Sequence, residues 1–316
     1  MNLRFDTEAA FLIGGVIGML VLASFVGGLL ARRSGSHAYH ATIANLKART
    51  RSWWFMVVLF LLAMLSGGLG SVILFGLTSF LALREFVTMT PTNRADHPTL
   101  LWLFFIITPI QYALVATGWY GLFSIFIPVY AFLFVPLRSV LSGDCERFLQ
   151  RTATIQWALM ICVYCVSYAP ALLTLEIPGF EAQNGKLLFY FVLVVQASDV
   201  LQYLWGKIFG RHQIAPTVSP NKTLEGFLGG VSTATLLGTG LWWATPFTPW
   251  QAAGMSLVIT LMGFVGGLVM SAIKRDRGVK DYGDLIQGHG GVMDRIDSLC
   301  FSAPIFFHLT RYFFTA

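Results

Sequence analysis

Ten apolar runs, separated by short polar connections, make up most of this chain of 316 residues. A helix of about 20 mainly apolar residues spans the hydrocarbon core of a bilayer, and most of the runs approach that length. With approximate edges, the runs cover residues 9–31, 53–66, 69–83, 100–117, 119–137, 152–175, 187–206, 224–244, 250–270 and 299–314. The pattern predicts an all-α, polytopic integral membrane protein with about nine or ten transmembrane helices.

The connections around the second and third runs are unusual. Both runs are short for full spans, and the glycine-rich Gly67, Gly68 and Gly70 join them. They are expected to tilt, to thin the bilayer locally or to form a tight hairpin. The polar residues 37–51 before them are interpreted as a solvated or surface-lying connector.

The apolar runs extend from end to end, which favours a single membrane domain over residues 1–316. Within it, we expect residues 1–185 to form an N-terminal scaffold of helices. Residues 186–316 are expected to form a C-terminal catalytic half, with a polar segment at the membrane interface.

Composition and charge support a membrane protein. Charged residues make up 11% of the chain, whereas a soluble domain has about 25%. The net charge of +6 could suggest nucleic acid, but the basic residues lie in short loops. Eighteen of the 21 Lys and Arg fall on one side if the loop after the first span is cytoplasmic. The positive-inside rule therefore predicts a polar segment facing the cytoplasm, in a bacterial inner (plasma) membrane, and no nucleic-acid partner.

The polar segment covers residues 271–297 and holds five of the fifteen acidic residues. Asp294 and Asp297 are spaced i, i+3, so a helix would present both carboxylates on one face. Oxygen ligands with no Cys nearby favour Mg²⁺ over Zn²⁺, and Asp281 and Asp284 could add ligands.

The same segment also has the features of a phosphate site. Gly290 and Gly291 follow His289 and lack side chains, so backbone N–H groups could approach a phosphate there. Lys274, Arg275 and Lys280 would supply positive charge for a polyphosphate. A solvated, charged loop is the simpler alternative.

Two further candidates precede this segment. Asp199 lies inside or at the edge of the seventh run, and an ionisable residue at that depth is a functional candidate. Tyr203 and Gly206 follow at four and seven residues, which places all three on one helix face. A structural polar contact between helices is the alternative.

The second candidate is the start of the eighth run. Ser219 followed by Pro220 is typical of an N-cap and the first helical residue, which predicts a helix from about Ser219. A helix N-terminus suits a phosphate, and Lys222 and Thr223 would add a cation and a hydroxyl. Together these patterns indicate phosphoryl or nucleotidyl transfer to a lipid at the interface.

The chain from about residue 190 to its end resembles the phosphatidate cytidylyltransferases, also called CDP-diacylglycerol synthases. The resemblance is an ordered pattern of three polar blocks. The first is Asp199…Tyr203-x-x-Gly206-x-x-x-Gly210; the second is Ser219-Pro220-x-Lys222-Thr223-x-Glu225-Gly226; the third is Ser271-x-x-Lys274-Arg275, then Lys280-Asp281, then His289-Gly290-Gly291-x-x-Asp294-Arg295-x-Asp297.

The resemblance implies that CTP and phosphatidate, or another lipid phosphate, give a CDP-lipid and pyrophosphate with the help of Mg²⁺. It also allows a second, monovalent or divalent cation and suggests a homodimer. Asp294 would be a metal ligand, and Asp297 and Asp281 would complete or orient the metal site. The remaining implied roles are catalysis or phosphate binding for Lys274, Arg275 and Lys222, and substrate binding for Asp199, Tyr203, Ser219, Thr223, Glu225, Ser271, Lys280, His289, Gly290, Gly291 and Arg295.

Two positions depart from the family pattern. The family usually has a Gly-Asp pair four residues before Ser271, with the Asp at the metal site, whereas this chain has Gly266 and Gly267. The loss of that acid predicts weaker metal binding. Gln287 also replaces a common proline.

Three alternatives follow from these observations. A CTP-dependent lipid kinase would use related motifs, and a weakened homologue could bind anionic lipid without turnover. A transporter is disfavoured, because the charges cluster at one face instead of along a midplane pathway.

Overall fold

A computed structural model describes residues 6–33, 37–286 and 290–315. In that part of the chain, each of the ten apolar runs lies mostly within one helix, which confirms the all-α, polytopic fold. The helices are α1 Thr7–Arg33, α2 His37–Leu65, α3 Gly67–Thr88, α4 Arg94–Thr117, α5 Tyr120–Val140, α6 Phe148–Thr174, α7 Asn184–Phe209, α8 Leu224–Gly240, α9 Pro249–Asp276 and α10 Met293–Phe314. Between α7 and α8, β1 Gln213–Ala215 and β2 Ser219–Thr223 form an antiparallel pair.

Eight of these helices are long and apolar enough to cross a membrane, counted over the described residues. The two others are α8, with 17 residues, and α10, which carries charged residues at both ends. The helices α4, α5 and α6 each contain a short π-helical stretch, at Leu103–Ile107, Phe126–Ala131 and Met160–Cys165. The exact number of spans within the predicted nine or ten stays a prediction.

The first part of α2 corrects the interpretation of residues 37–51 as a connector. The helix begins at His37 and continues through the polar residues into the apolar run. Alanine, lysine and arginine, which are frequent there, have high helix propensity, so polarity alone does not end the helix. Only Ser66 separates α2 from α3, and Gly67 has a φ of 85°. The short second and third runs therefore form a tight hairpin of two longer helices.

The packed core lies mainly among α3, α4, α6, α7 and α10. Tyr190 and Phe191 on α7 and Phe306 on α10 are fully buried, and the rings of Phe191 and Phe306 stack with centroids 5.1 Å apart. By contrast, α1 and α2 expose large apolar side chains, such as Phe11, which is 74% exposed. Exposed apolar faces of this kind suit contact with lipid instead of water.

Close packing of α7 against α8 positions the residues of the site. A Cβ on Gly226 would lie 2.8 Å from the Gln202 carbonyl oxygen and 2.9 Å from the Gly206 Cα. Small residues let two helix backbones approach in this way. The approach brings the start of α8 and the end of β2 against the half of α7 that carries Asp199.

Ion pairs join residues that the charge pattern predicts to lie on the same side of the membrane. Arg151 Nε lies 3.1 Å from Asp96 Oδ1, and Arg151 NH1 lies 2.9 Å from Asp144 Oδ2. At the other end, Lys186 Nζ lies 2.7 Å from Asp6 Oδ2 and also contacts Glu8. These pairs agree with the predicted arrangement of the loops.

Candidate active site

The structure corrects the predicted helix start at Ser219. Residues Ser219–Thr223 form β2, which pairs with β1 through Gln213 opposite Thr223 and Ala215 opposite Ser219. Pro220 is tolerated because a two-stranded sheet has free edges. The helix begins at Leu224, and Thr223 is its N-cap, since its hydroxyl accepts a hydrogen bond from the Gly226 N–H at 3.1 Å.

The end of β2 directs Lys222 into the protein. Its Nζ lies 4.8 Å from the centroid of the Phe264 ring on α9. Burial lowers the pKa of Lys222, and the nearby carboxylates of Asp199 and Asp297 oppose that shift. Among the described residues, no carboxylate oxygen lies within 4.0 Å of this amine. Lys222 therefore forms no direct ion pair with Asp199 or Asp297.

A serine hydroxyl joins the two carboxylates that face Lys222. Ser298 Oγ donates a hydrogen bond to Asp199 Oδ1 at 2.9 Å and lies 3.5 Å from Asp297 Oδ1. The Ser298 N–H donates to the same oxygen of Asp297 at 2.8 Å. We call Asp199, Lys222, Asp297 and Ser298 the Lys222 cluster.

Gly267 on α9 borders this cluster. A Cβ at Gly267 would lie 2.7 Å from Lys222 Nζ and 3.7 Å from Ser298 Oγ. The amine of Lys222 therefore occupies the space into which a side chain at position 267 would project. The position at which the family pattern predicts an acid is filled here by a cation from another element.

A second group surrounds Asp294 in the first turn of α10. Its Oδ1 accepts a hydrogen bond from Lys274 Nζ at 2.8 Å. Its Oδ2 accepts from the Tyr282 N–H at 2.8 Å and from the Gly291 N–H at 3.0 Å. The residue is 7% exposed. We call Lys274, Tyr282, Gly291 and Asp294 the Lys274 cluster.

Gly290 brings Asp281 to the edge of the Lys274 cluster. Its φ of 80° is in the left-handed region, which favours glycine. A Cβ there would lie 2.7 Å from Asp294 Oδ2 and 3.3 Å from the Asp281 Cβ. Asp281 itself is exposed. His289 lies outside the described residues, so its predicted role is not located.

The other predicted residues are distributed around these two clusters. Arg275 donates from Nε to the Val218 carbonyl at 3.2 Å and so ties α9 to the hairpin, while Lys280 is exposed. The Ser271 hydroxyl donates to the Gly267 carbonyl at 2.6 Å. The Nε of Arg295 is buried and has no hydrogen-bond partner among the described residues.

Two predicted substrate-binding residues lie farther from the clusters. Tyr203 is 54% exposed on α7. Glu225 accepts hydrogen bonds from the Arg211 and His212 N–H groups, at 2.9 and 3.2 Å, and lies 2.5 Å from His212 Nδ1. In this structure the carboxylate of Glu225 holds the hairpin against the start of α8.

Two residues that contact this region, Ser298 and Glu85, were not predicted from the sequence. Ser298 follows Asp297 directly, but a serine in an apolar helix gave no signal of its own. Glu85 on α3 accepts hydrogen bonds from the Val292 and Met293 N–H groups. An acid at the end of an apolar run is a functional candidate, so Glu85 could have been found.

The donor set of the Lys222 cluster fits Mg²⁺. This cation is commonly held by one or two carboxylates, with waters and substrate phosphates completing its shell. Asp199 and Asp297 offer two such carboxylates with few competing donors. Over the described residues, no three Asp, Glu, His or Cys side chains converge as a metal site. The structure thus brings Asp297 to Asp199 and places Asp281 beside Asp294, and their roles as ligands stay predictions.

Comparison with known proteins places this chain in a family. A model of the "Cytidylyltransferase family" matches residues 47–313. An Escherichia coli (strain K12) protein described as "Uncharacterized protein YnbB" is 39% identical over 302 residues, covering 94% of this chain and 96% of the relative. The phosphatidate cytidylyltransferases of Bacillus subtilis (strain 168) and Staphylococcus aureus (strain COL) are 30% and 29% identical, covering 86% and 82% of this chain and 100% and 97% of theirs. The family model spans most of the length of this chain and includes both clusters. This chain therefore belongs to the cytidylyltransferase family.

Proposed function

We propose that this membrane protein transfers a cytidylyl group from CTP to phosphatidate, giving CDP-diacylglycerol and pyrophosphate. The observation that carries the proposal is the Lys222 cluster, in which a half-buried amine lies beside two carboxylates from different helices. Relatives that match most of this chain are phosphatidate cytidylyltransferases. The activity belongs to phospholipid biosynthesis at a bacterial inner membrane, with the site facing the cytoplasm.

The reaction needs positive charge where negative phosphates meet. An oxygen of the lipid phosphate forms a bond to the α-phosphorus of CTP, and the bond between the α-phosphorus and the bridging oxygen breaks. The electron pair leaves with pyrophosphate. Lys222 is placed to stabilise the charge that develops, because a cation shielded from bulk water acts strongly on a transition state.

Asp199 and Asp297 are the residues that would hold Mg²⁺, a cofactor that we propose for this reaction. When bound, the ion would neutralise phosphate charge as a Lewis acid. Asp294 has both oxygens engaged by protein donors, so we assign it the task of holding Lys274, Tyr282 and Gly291 in place. Lys274 and Arg275 lie near the end of α9 and would contact the triphosphate.

The depth of the cluster suits a lipid substrate. Asp199 belongs to the apolar helix α7, whereas Lys222 comes from the polar hairpin that follows it. A phosphatidate headgroup could reach this boundary from the bilayer while CTP arrives from water. The lipid bilayer is therefore both the environment of the protein and the source of one substrate.

Purified protein in detergent or vesicles, supplied with phosphatidate and Mg²⁺, provides the test. CTP labelled in the cytosine ring should transfer its label to the lipid, and Asp297→Asn should abolish that transfer. Label entering the lipid only from the γ-phosphate would instead establish a CTP-dependent lipid kinase. If neither label enters the lipid, the protein is a homologue that has lost turnover, and the proposal is wrong.

Two further points remain proposals. A homodimer is expected from the resemblance, and size-exclusion chromatography with light scattering would measure it. We also propose that the protein has full cytidylyltransferase activity although Gly267 replaces the acid of the family pattern. The reason is that the amine of Lys222 already supplies a cation beside Gly267.

A further inference from the structure

The first backbone N–H groups of α10 donate hydrogen bonds to a residue in the N-terminal half of the chain. Glu85, near the end of α3, accepts from the Val292 N–H at 2.9 Å and from the Met293 N–H at 2.8 Å. These are free donors at a helix start, which need partners when buried. We propose that Glu85 is a positioning residue, which holds the first turn of α10 so that Asp294 and Asp297 keep their places in the site.

The contact between Glu85 and the start of α10 is buried, so its polar groups depend on each other as hydrogen-bond partners. Glu85 is 9% exposed and Met293 is fully buried. No salt bridge to Glu85 is present among the described residues. The two backbone N–H groups therefore provide the stabilisation of its carboxylate that a cation would otherwise give. A carboxylate at a helix N-terminus also interacts favourably with the helix dipole. Removing it would leave two donors without a partner in a place that water reaches poorly.

Two glycines make room for this carboxylate. A Cβ on Gly291 would overlap Glu85 Oε2, and a Cβ on Gly283 would lie 3.0 Å from Oε1. The loop that contains these glycines also supplies the Tyr282 and Gly291 N–H groups that bind Asp294. Glu85 and Asp294, which lie on different helices, thus both lie against Gly291.

Neighbouring contacts reinforce the link between α3, α6 and the site. The ring of Phe86, next to Glu85, stacks on Tyr282 with centroids 6.2 Å apart and an angle of 20°. Cys162 on α6 contacts the sulfur of Met293 at 3.8 Å. Contacts from the N-terminal helices therefore fix the positions of Tyr282 and Met293 on either side of the Asp294 carboxylate's donors.

Substitution of Glu85 by glutamine tests the positioning role. Glutamine keeps one acceptor but turns an NH₂ toward the second backbone donor, so the helix start should shift. Since this role rests on the proposed cytidylyltransferase activity, we expect the KM for CTP and the Mg²⁺ concentration for half-maximal turnover to rise on the order of 10-fold. A smaller folded fraction would lower only the maximal rate, so unchanged constants would overturn the proposal. Glu146→Gln, which alters an exposed acid in a loop, is the matched control.

A measurement independent of activity separates failure of this inference from failure of the proposed function. Hydrogen exchange of the peptide that contains the Val292 and Met293 amides should be faster in Glu85→Gln than in the wild type and Glu146→Gln. Equal exchange rates would show that Glu85 does not hold these amides. This comparison stands even if the wild type forms no CDP-lipid.

A double-mutant cycle with Gly283 supplies a second test. It compares the effect of one substitution in two backgrounds, so a general loss of folding in one variant does not decide the result. Gly283→Ala should push on Glu85 and speed the same exchange, but should have no further effect in a Glu85→Ala background. An equal effect of Gly283→Ala in both backgrounds would contradict the proposal, because the alanine would then act elsewhere.

Discussion

The Lys222 cluster and the Lys274 cluster contain the same kinds of residues but differ in how their charges are used. In the Lys274 cluster, both oxygens of Asp294 accept hydrogen bonds from protein donors, including a direct ion pair with Lys274. In the Lys222 cluster, the lysine has no carboxylate within 4.0 Å among the described residues, and a single serine links the acids. A closed network stabilises structure, whereas an open one has charge available for a ligand.

The segment of the chain richest in polar residues is therefore different from the place where charge remains available for a ligand. Within the densest polar segment of the chain, Lys274, Tyr282, Gly291 and Asp294 form the closed network, whereas Asp297 at the end of the segment belongs to the open cluster. The open cluster is assembled from α7, β2 and α10, with Gly267 of α9 beside it. We therefore expect ligand-dependent effects to be largest at the open cluster, and effects on loop geometry to be largest at the closed one.

After Asp297→Asn, which should abolish the transfer, Asp294→Asn should have the largest effect on turnover. The amide would lose the ion pair with Lys274 and direct an NH₂ toward a backbone donor or the lysine. We expect turnover to fall at least about 100-fold while the protein still inserts into the membrane. Turnover of cytosine-labelled CTP into lipid measures this, with Glu176→Gln, which alters an exposed acid outside both clusters, as control. Wild-type turnover in Asp294→Asn would show that the closed network does not support the site.

Lys222→Met should come next and act on the reaction itself. Loss of the amine removes a cation whose charge acts on Asp199 and Asp297, and it removes charge stabilisation from the transition state. We expect kcat/KM for CTP to fall on the order of 100-fold. Lys47→Met removes an exposed lysine and should leave the kinetics unchanged. Equal kcat/KM values for the two variants would show that Lys222 contributes no more to the reaction than an exposed surface lysine.

Gly267→Asp sharpens the comparison by adding an acid to the open cluster. The amine of Lys222 ends a flexible side chain and can shift away from the new Cβ, so the variant should fold. A third carboxylate raises the negative charge offered to a cation, because ligand charge tunes affinity. We expect the Mg²⁺ concentration for half-maximal turnover to fall up to about 10-fold. An unchanged Mg²⁺ dependence would place the metal away from this cluster.

Thr223→Ala should have the smallest effect and concern stability alone. It removes the N-cap of α8, and such losses cost about 1 kcal/mol. Ser219→Ala, at the position predicted from the sequence as the cap, should cost less, because Ser219 lies in β2. Thermal unfolding of the two variants in detergent would measure the difference, and a larger loss for Ser219→Ala would contradict the observed helix start.

Much of the site could be predicted because its signals are local. The spacing of Asp294 and Asp297, and the depth of Asp199 in an apolar run, are visible along the chain. The helix start at Ser219 was wrong because Ser-Pro is also compatible with a short edge strand, and pairing with residues 213–215 decided between them. Ser298 and Glu85 were missed because their importance comes from partners about 100 and 200 residues away.

The sequence by itself determined that the chain crosses a membrane, which residues are polar and to which family it belongs. Apolar length and residue order suffice for these conclusions, since they depend on the solvent and on neighbours along the chain. Only the tertiary structure decided which charges remain available. Close packing of α7 on α8 brings Lys222 beside Asp199 and Asp297, while Lys274 and two backbone donors occupy Asp294. An acid's capacity to bind a ligand depends on the donors that already surround it in space.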